Sequence, residues 1–431
     1  MSAQREERIE RDVLAALGRP GPLWILGFLT SALFFGGGLA LWGYQVFRGL
    51  GVAGINHPVS WGVYIANFVF WVGIAHSGTL ISAVLFLFRA RFRSSFNRAA
   101  EAMTLFALMT AGLFPLIHLG RVWVFYYLLP YPNERQLWVN FRSPLIWDVF
   151  AVTTYMIVSA VFFYVGLLPD LAVARRRLTG IAQKIFRVLS LGWRGTQRQW
   201  RHYGKLYLFL AAFATPLVAS VHSIVSWDFA ISIVPGWHTT IFAPYFVAGA
   251  ILSGTAMVIT LVAPMRSILK LEEYITPSHF EAIAKILLLT SLIVSYAYIA
   301  ETALAFYGHN AAEAGQFRYR MLGDYRVFFW TMILCNSVLP LSLFVKKLRR
   351  NIRYLFVLSL FVNVGMWLER FVLIVTSLSH EYEPYSWGSY SPSFVEIGIT
   401  LGSFGLFFSL YLLFLKTLPV LSITELKEHQ P

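Results

Sequence analysis

Long apolar stretches alternate with short polar connections along the whole chain, and about 20 apolar residues suffice to cross hydrocarbon as a helix. The stretches fall at roughly 22–48, 59–89, 99–126, 144–169, 205–226, 240–265, 280–307, 326–345, 353–378 and 394–418. A bilayer admits only spanning helices or closed barrels, and these runs far exceed the ~10 residues of a barrel strand. The pattern predicts an all-α polytopic membrane protein with about ten transmembrane helices. Polar tails precede and follow them at 1–21 and 419–431. Spans two to five (59–226) and six to nine (240–378) run in the same sense, which is compatible with a parallel repeat, although no residue-level self-similarity accompanies it.

Composition agrees: 57% of the residues are hydrophobic and 13% charged, with mean hydropathy +0.62. The net charge of +14 does not point to nucleic acid, because the cations sit in short blocks between apolar runs. Arg89 to Arg98, Arg175 to Lys205, Arg266 with Lys270, and Lys346 to Arg353 form these blocks. The alternate connections carry only Arg135, Arg142, Arg318, Arg320 and Arg326. That asymmetry places both termini in the cytoplasm of a multi-pass protein of the plasma (inner) membrane. The basic stretch 173–205 interleaves its cations with Ile181, Ile185, Phe186 and Val188, the composition of an amphipathic helix at anionic lipid. The outer connections are aromatic, notably 126–140, 227–238 and 380–393. The N-terminus lacks the basic start and short apolar core of a signal peptide, so the first span is expected to be retained. Cys335 is the single cysteine, leaving no disulfide, haem c attachment or iron–sulfur ligand set within the chain. Any such centre is expected in a partner subunit.

Ionisable residues inside hydrocarbon are costly and by default mark function. At 1.5 Å per residue, His118 lies ~12 Å before the outer end of the third span, and Asp148 ~6 Å into the fourth. Arg121, three positions after His118, is expected on the same helix face. His222, Asp228, Glu301 and the Glu369-Arg370 pair also fall toward the outer side, whereas the inner side shows only Glu101 and Glu281, with His76 in the second span. Oxidation of a quinol must release two protons as two electrons leave. A neutral imidazole can hydrogen-bond one ring hydroxyl and take its proton, and a carboxylate can orient that imidazole or accept the second. Asp228 at the rim could then pass protons to bulk water. His118 and Asp148 are accordingly the expected catalytic pair, with no metal. His222, Tyr155, Tyr296, Tyr298, Glu301 and Glu369 could extend a proton relay inward. His57, His238, His279 and His309 read as structural or interfacial groups. A haem b would need facing axial ligands; His76 with His118 or His222 is the only pair in view, and no two-on-two ladder emerges.

The stretch WGVYIANFVFWVGIAHSG (61–78) and the His118-Leu119-Gly120-Arg121 helix end resemble the NrfD-like family of quinone-binding membrane subunits, that of polysulphide reductase, over most of the chain. Within the family, NFRSPLIWD (140–148) and SVHSIVSWDFA (220–230) are most similar to the quinol-oxidising C subunits of bacterial alternative complex III. That resemblance implies two like-oriented four-helix bundles flanked by the first and tenth helices. It implies a quinol pocket in the first bundle near the periplasmic face, with His118, Asp148 and Asp228 at the family's pocket positions and Arg370 as a fourth. The substrate would be menaquinol or a similar quinol, with no intrinsic haem or iron–sulfur cluster. Electrons would pass to a periplasmic iron–sulfur subunit and to multihaem and monohaem cytochrome c subunits, beside a second NrfD-like membrane subunit, with proton translocation a further option. Two rival readings remain. One is a quinone-reducing membrane anchor of a molybdopterin oxidoreductase; the other is a proton-coupled secondary transporter, which would require polar groups on both sides of the midplane.

Overall fold

In the computed structural model, residues 2–128 and 141–429 are described. Most of the aromatic connection 126–140, with Arg135 and Asn140, lies outside them. In chain order the helices are α1 (Ser2–Ala15), α2 (Pro22–Arg48), α3 (Val63–Leu87), α4 (Asn97–His118), α5 (Pro144–Arg177), α6 (Gly180–Leu189), α7 (Gln197–Ala230), α8 (Phe242–Ile268), α9 (Pro277–Tyr307), α10 (Ala311–Leu322), α11 (Arg326–Phe344), α12 (Ile352–Ser379), α13 (Phe394–Thr417) and α14 (Ile423–His429). Among the described residues there is no strand, and ten helices are long and apolar enough to span a membrane. The protein is thus an all-α, multi-pass integral membrane protein, as the apolar pattern predicts.

Helix starts follow local chemistry. Pro144 and Pro277 occupy first-turn positions, where proline costs no intrahelical hydrogen bond. Thr196 with Gln199 and Ser393 with Glu396 form reciprocal capping boxes. Two ends depart from expectation. α5 runs on to Arg177 and α7 begins at Gln197, so much of the basic stretch 173–205 is helical extension. The rest holds α6, which exposes Ile181, Ile185 and Val188 at helical spacing. α10 falls where a connection was expected, its first turn capped by the Asn310 side chain accepting from the Ala312 and Glu313 amides.

α3 and α8 form the centre, with 83% and 89% of their most apolar stretches buried. They pack on each other; α3 also meets α4 and α12, and α8 meets α7, α9 and α12. α2, by contrast, is almost entirely uncovered and packs chiefly on α13. The first and last spans therefore form a pair, brought together where Gly38 and Gly402 meet. A Cβ on either would lie 2.6 Å from the other's Cα. At the His118 end of the membrane span, buried Glu396 accepts from the Gly54 amide (2.7 Å), the Ser393 amide (2.8 Å) and the Tyr390 hydroxyl (2.8 Å). It thereby ties the connection after α2 to the start of α13.

The opposite end corrects the sequence picture of an inner side poor in polar groups. Arg98, counted there as a loop cation, is buried, and its guanidinium bonds Asp170 (2.9 Å), Glu101 (3.1 Å) and the Gly166 carbonyl (2.8 Å). Gly166 is the next residue after the one whose carbonyl loses its helical partner to Pro169. Asp170 also accepts from the amide and hydroxyl of Thr424, while Arg93 bonds Glu425, so α14 is latched onto the span ends. Around this cluster α1 is held by Arg8 to Glu273, and by Glu10 to Lys427 (2.7 Å) and Arg177 (3.1 Å).

Candidate functional site

α5 and α7 run antiparallel, and their ends bring two short motifs of the sequence together. Trp147 and Trp227 meet edge to face, ring centroids 6.0 Å apart. The next residue on each helix supplies a carboxyl group, and those of Asp148 and Asp228 lie within hydrogen-bonding reach of each other. One oxygen of each, Oδ1, is buried without any partner. Asp228, expected just beyond the fifth span, is inside α7, two residues before its end. Asp148 sits near the positive end of the α5 dipole and Asp228 near the negative end of α7. The two carboxyls thus occupy opposed local fields, and a hydrogen bond between them requires that one carry a proton.

His118 is the last residue of α4. The helix stops there because Gly120 adopts φ +69°, where an added Cβ would strike Leu50. Gln45 of α2 donates to the Ile117 carbonyl (3.0 Å), and Gln45 in turn accepts from the Tyr64 hydroxyl, which fixes the chain at this point. The imidazole is half-buried, its Nδ1 without a partner. It hydrogen-bonds neither Asp148 nor Asp228 among the described residues. Arg121 lies past the helix stop and is exposed, so it does not share the His118 face as the spacing alone suggested.

Deeper in the membrane, at the junction of α3, α7, α8 and α12, His76 and His222 are fully buried with ring centroids 4.5 Å apart. His76 Nδ1 bonds the Val72 carbonyl (2.5 Å), and its ring lies 5.1 Å from that of Tyr155. The Tyr155 hydroxyl meets Thr79 Oγ1 (2.7 Å) and the Ala75 carbonyl (3.0 Å). His222 has no partner on either nitrogen. A haem held by this pair would need its macrocycle between the rings, and the ring separation leaves no slot for one. Arg370 is close enough to act electrostatically on both imidazoles; it lies 4.5 Å above the Phe246 ring and 2.8 Å from Glu369. Glu369 accepts from the Tyr298 hydroxyl, which in turn accepts from Asn336 Nδ2 (3.0 Å). Arg370 is not in contact with His118, Asp148 or Asp228 among the described residues.

The structure therefore sorts the expected residues into three places. Asp148 and Asp228 meet near one membrane surface, with His118 at the same end. Tyr155, His222, Arg370, Glu369 and Tyr298 lie inside. Glu301 lines two cavities between α9 and its neighbours. Tyr296, expected to be buried with Tyr155 and Tyr298, is exposed. Sequence reasoning missed Arg320, counted as an outer-loop cation but buried, and Asn336, which sits in a π-helical turn of α11. The Asn336 carbonyl, whose helical donor would be the amide that Pro340 lacks, accepts instead from Ser291 (2.6 Å). Nothing in the local pattern of apolar residues announces such a turn.

Known proteins give the chain its relatives. It is 27% identical over 425 residues, 93% of this chain and 92% of the relative, to the putative membrane C subunit of dimethyl sulfoxide reductase from Halobacterium salinarum. It is 21% identical over 394 residues, 87% and 89% of the two chains, to the C subunit of selenate reductase from Mesobacillus selenatarsenatis. It is 25% identical over 390 residues, 88% of each, to the probable Ni/Fe-hydrogenase 2 b-type cytochrome subunit of Escherichia coli. Residues 51–380 match the family described as polysulphide reductase, NrfD. That match covers α3 to α12, the helices that carry the paired carboxyls and the buried histidines, and the chain belongs to the NrfD family of membrane subunits.

Proposed function

We propose that this protein is the quinone-exchanging membrane subunit of a multisubunit oxidoreductase, with its reactive site at the His118 end. The observation that carries the reading is the meeting of the Asp148 and Asp228 carboxyls at the ends of α5 and α7. A quinol bound there donates one hydroxyl to the His118 imidazole and the other to Asp148. As two electrons leave the ring for a one-electron carrier in a docked partner, the imidazole and the carboxyl pair take the two protons. Asp228 relays its share toward the surface. Run backward, the same groups protonate a quinone. Arg370 stabilises negative charge deeper in the fold. Tyr155, His222, Glu369, Tyr298 and Glu301 form the groups of a relay for any proton moved inward; water at the unpartnered imidazole nitrogens would be needed to connect them.

The relatives' names favour a dedicated anchor over the C subunit of alternative complex III. Two are subunits of reductases and one belongs to a hydrogenase. On this reading the partner at the His118 end is an iron–sulfur subunit joined to a catalytic subunit of the molybdopterin type. The alternative complex III reading, with pentahaem and monohaem cytochrome c partners and a second NrfD-like subunit, rests on the 140–148 and 220–230 motifs. In either case the protein lies in the plasma membrane with both termini cytoplasmic. Spans α3, α4, α5 and α7 form one four-helix bundle, and α8, α9, α11 and α12 the other. The buried ions at the Arg98 end bond one another, which does not favour a transporter's open polar route. Purification of the native complex discriminates the partners: a molybdopterin subunit supports the anchor, multihaem cytochrome the complex III reading. The site is tested by Asp148→Asn in the assembled complex, for which quinol oxidation at the parental rate would refute it.

A further inference from the structure

The second half of the membrane domain holds a cavity that the first site does not use. It measures about 370 Å³ and lies between α9 and α11 beneath α10. Tyr245, Tyr298, Phe317 and Phe329 wall it, and the side chains of Ile299, Phe306 and Trp330 at its edge are exposed on the outward faces of spanning helices. A second cavity of about 600 Å³ adjoins it through the shared residues Glu301 and Phe317.

Glu301 decides what the cavity is for. Only 8% of the residue is exposed, yet its carboxyl group makes no hydrogen bond to the protein among the described residues. A buried carboxyl that bonds no protein group is not explained by packing. Opposite it, Arg320 spends Nε on Thr376 (3.0 Å) and Nη2 on Ser377 (2.7 Å) and the Gly236 carbonyl (3.2 Å). Its Nη1 makes no bond among the described residues, and the guanidinium is near enough to attract the Glu301 carboxylate. One acceptor and one donor therefore face a slot of aromatic side chains that is entered from lipid.

We infer that the Glu301–Arg320 cavity is a second binding site for a quinone-type ring, separate from the Asp148–Asp228 site. A ligand that enters past the exposed edge of Ile299, Phe306 and Trp330 must be apolar over most of its length. A ring bearing a hydroxyl and a carbonyl satisfies Glu301 and Arg320 together and stacks on the aromatic wall. A phospholipid phosphate would satisfy Arg320 but be repelled by Glu301 and by Glu369, which also lines the cavity. Only the ligand class rests on the function proposed above; the unbonded carboxyl and the cavity stand without it.

The test uses the intact complex in nanodiscs, stripped of endogenous quinone and illuminated with an azido-naphthoquinone carrying a short isoprenyl tail, with labelled peptides identified by mass spectrometry. Two labelled zones are expected, one on the ends of α5 and α7 and one within 299–333. Thr302→Trp, which fills the cavity from α9, abolishes the second zone and leaves the first. Glu301→Gln, which keeps the shape, weakens labelling there about tenfold, the loss expected for one hydrogen bond to a charged group. Asp148→Asn lowers the first zone alone. Absence of label from 299–333, label unchanged in both Thr302→Trp and Glu301→Gln, or equal competition by unlabelled phosphatidylglycerol would overturn the inference. Failure of the first zone alone would instead count against the function proposed for Asp148.

Discussion

Asp170 offers the sharpest test of how the Arg98 end is built. Its side chain is fully buried, with Oδ2 bound to Arg98 (2.9 Å) and Oδ1 to the amide (3.1 Å) and hydroxyl (3.0 Å) of Thr424. Asp170→Ala removes all three bonds and leaves the Arg98 charge facing Glu101 alone. Breaking one arm of a buried ion network costs about 3–5 kcal/mol. Because Arg98 keeps Glu101 and the Gly166 carbonyl, the lower end, about 3 kcal/mol, is expected. The loss should appear in two readouts: a lower unfolding temperature of the purified protein, and faster proteolysis after Leu418, because α14 loses its hold. Asp170→Asn, which can still accept from Thr424, should fall between parent and Ala variant on tail protection. The triple change Arg98→Met, Glu101→Leu, Asp170→Leu removes every charge of the triad, and should recover most of the unfolding temperature while leaving the tail unlatched. An Asp170→Ala protein that unfolds at the parental temperature with a protected tail would refute the reasoning, as would a triple variant less stable than the single one.

Four further outcomes are expected. If Asp148 and Asp228 act as one proton-holding unit, each Asn variant should slow quinol oxidation about 100-fold, and the double variant should be no slower than about threefold below the worse single; multiplicative losses would show independent groups. Gly402→Val cannot be accommodated where Gly38 approaches, so α2 should separate from α13, read as lost cysteine crosslinking between the two helices in the membrane. Glu396→Ala deprives the Gly54 amide and the Tyr390 hydroxyl of their acceptor at once, and should destabilise by about 2–4 kcal/mol, measured by denaturation in detergent. Burial pushes the Glu10 carboxyl up, but bonds to Lys427 and Arg177 outweigh it and hold the group below the usual glutamate range. A depressed folded value means that the stabilisation is fully present at neutral pH, declines as pH falls below the ordinary glutamate range and is gone below the lowered value. Protease protection of α1 should therefore be complete at neutral pH and weaken progressively on acidification through that range, more at high salt.

The spans were legible because the hydrocarbon imposes one rule on every residue they contain, and a run of apolar residues satisfies it without reference to any neighbour. The same rule made Asp148 and His118 conspicuous: each is expensive where it stands, whatever surrounds it. It could not show cost being relieved. Arg98 looked like one more loop cation because two of its partners, the Gly166 carbonyl and Asp170, lie 68 and 72 positions away, and only the packing of α5 against α4 brings them together. Arg320 was misplaced for the same reason, since α10 folds it against the last turn of α12, beside Thr376 and Ser377. Arg121 failed differently. Its spacing from His118 was correct, but spacing confers a shared face only while the helix continues, and Gly120 ends it.

That distinction bears on the paired carboxyls. The sequence put Asp148 at a helix start and Asp228 at a helix end, and nothing in either motif required that they touch. What brings them together is the antiparallel packing of α5 on α7, with Trp147 against Trp227 setting the register. The neighbouring aromatic is therefore part of the site's architecture. Loss of either ring, as in Trp227→Leu, should separate the carboxyls without removing them, so a lowered oxidation rate with both aspartates intact would locate the function in their contact, and an unchanged rate would locate it in either aspartate alone.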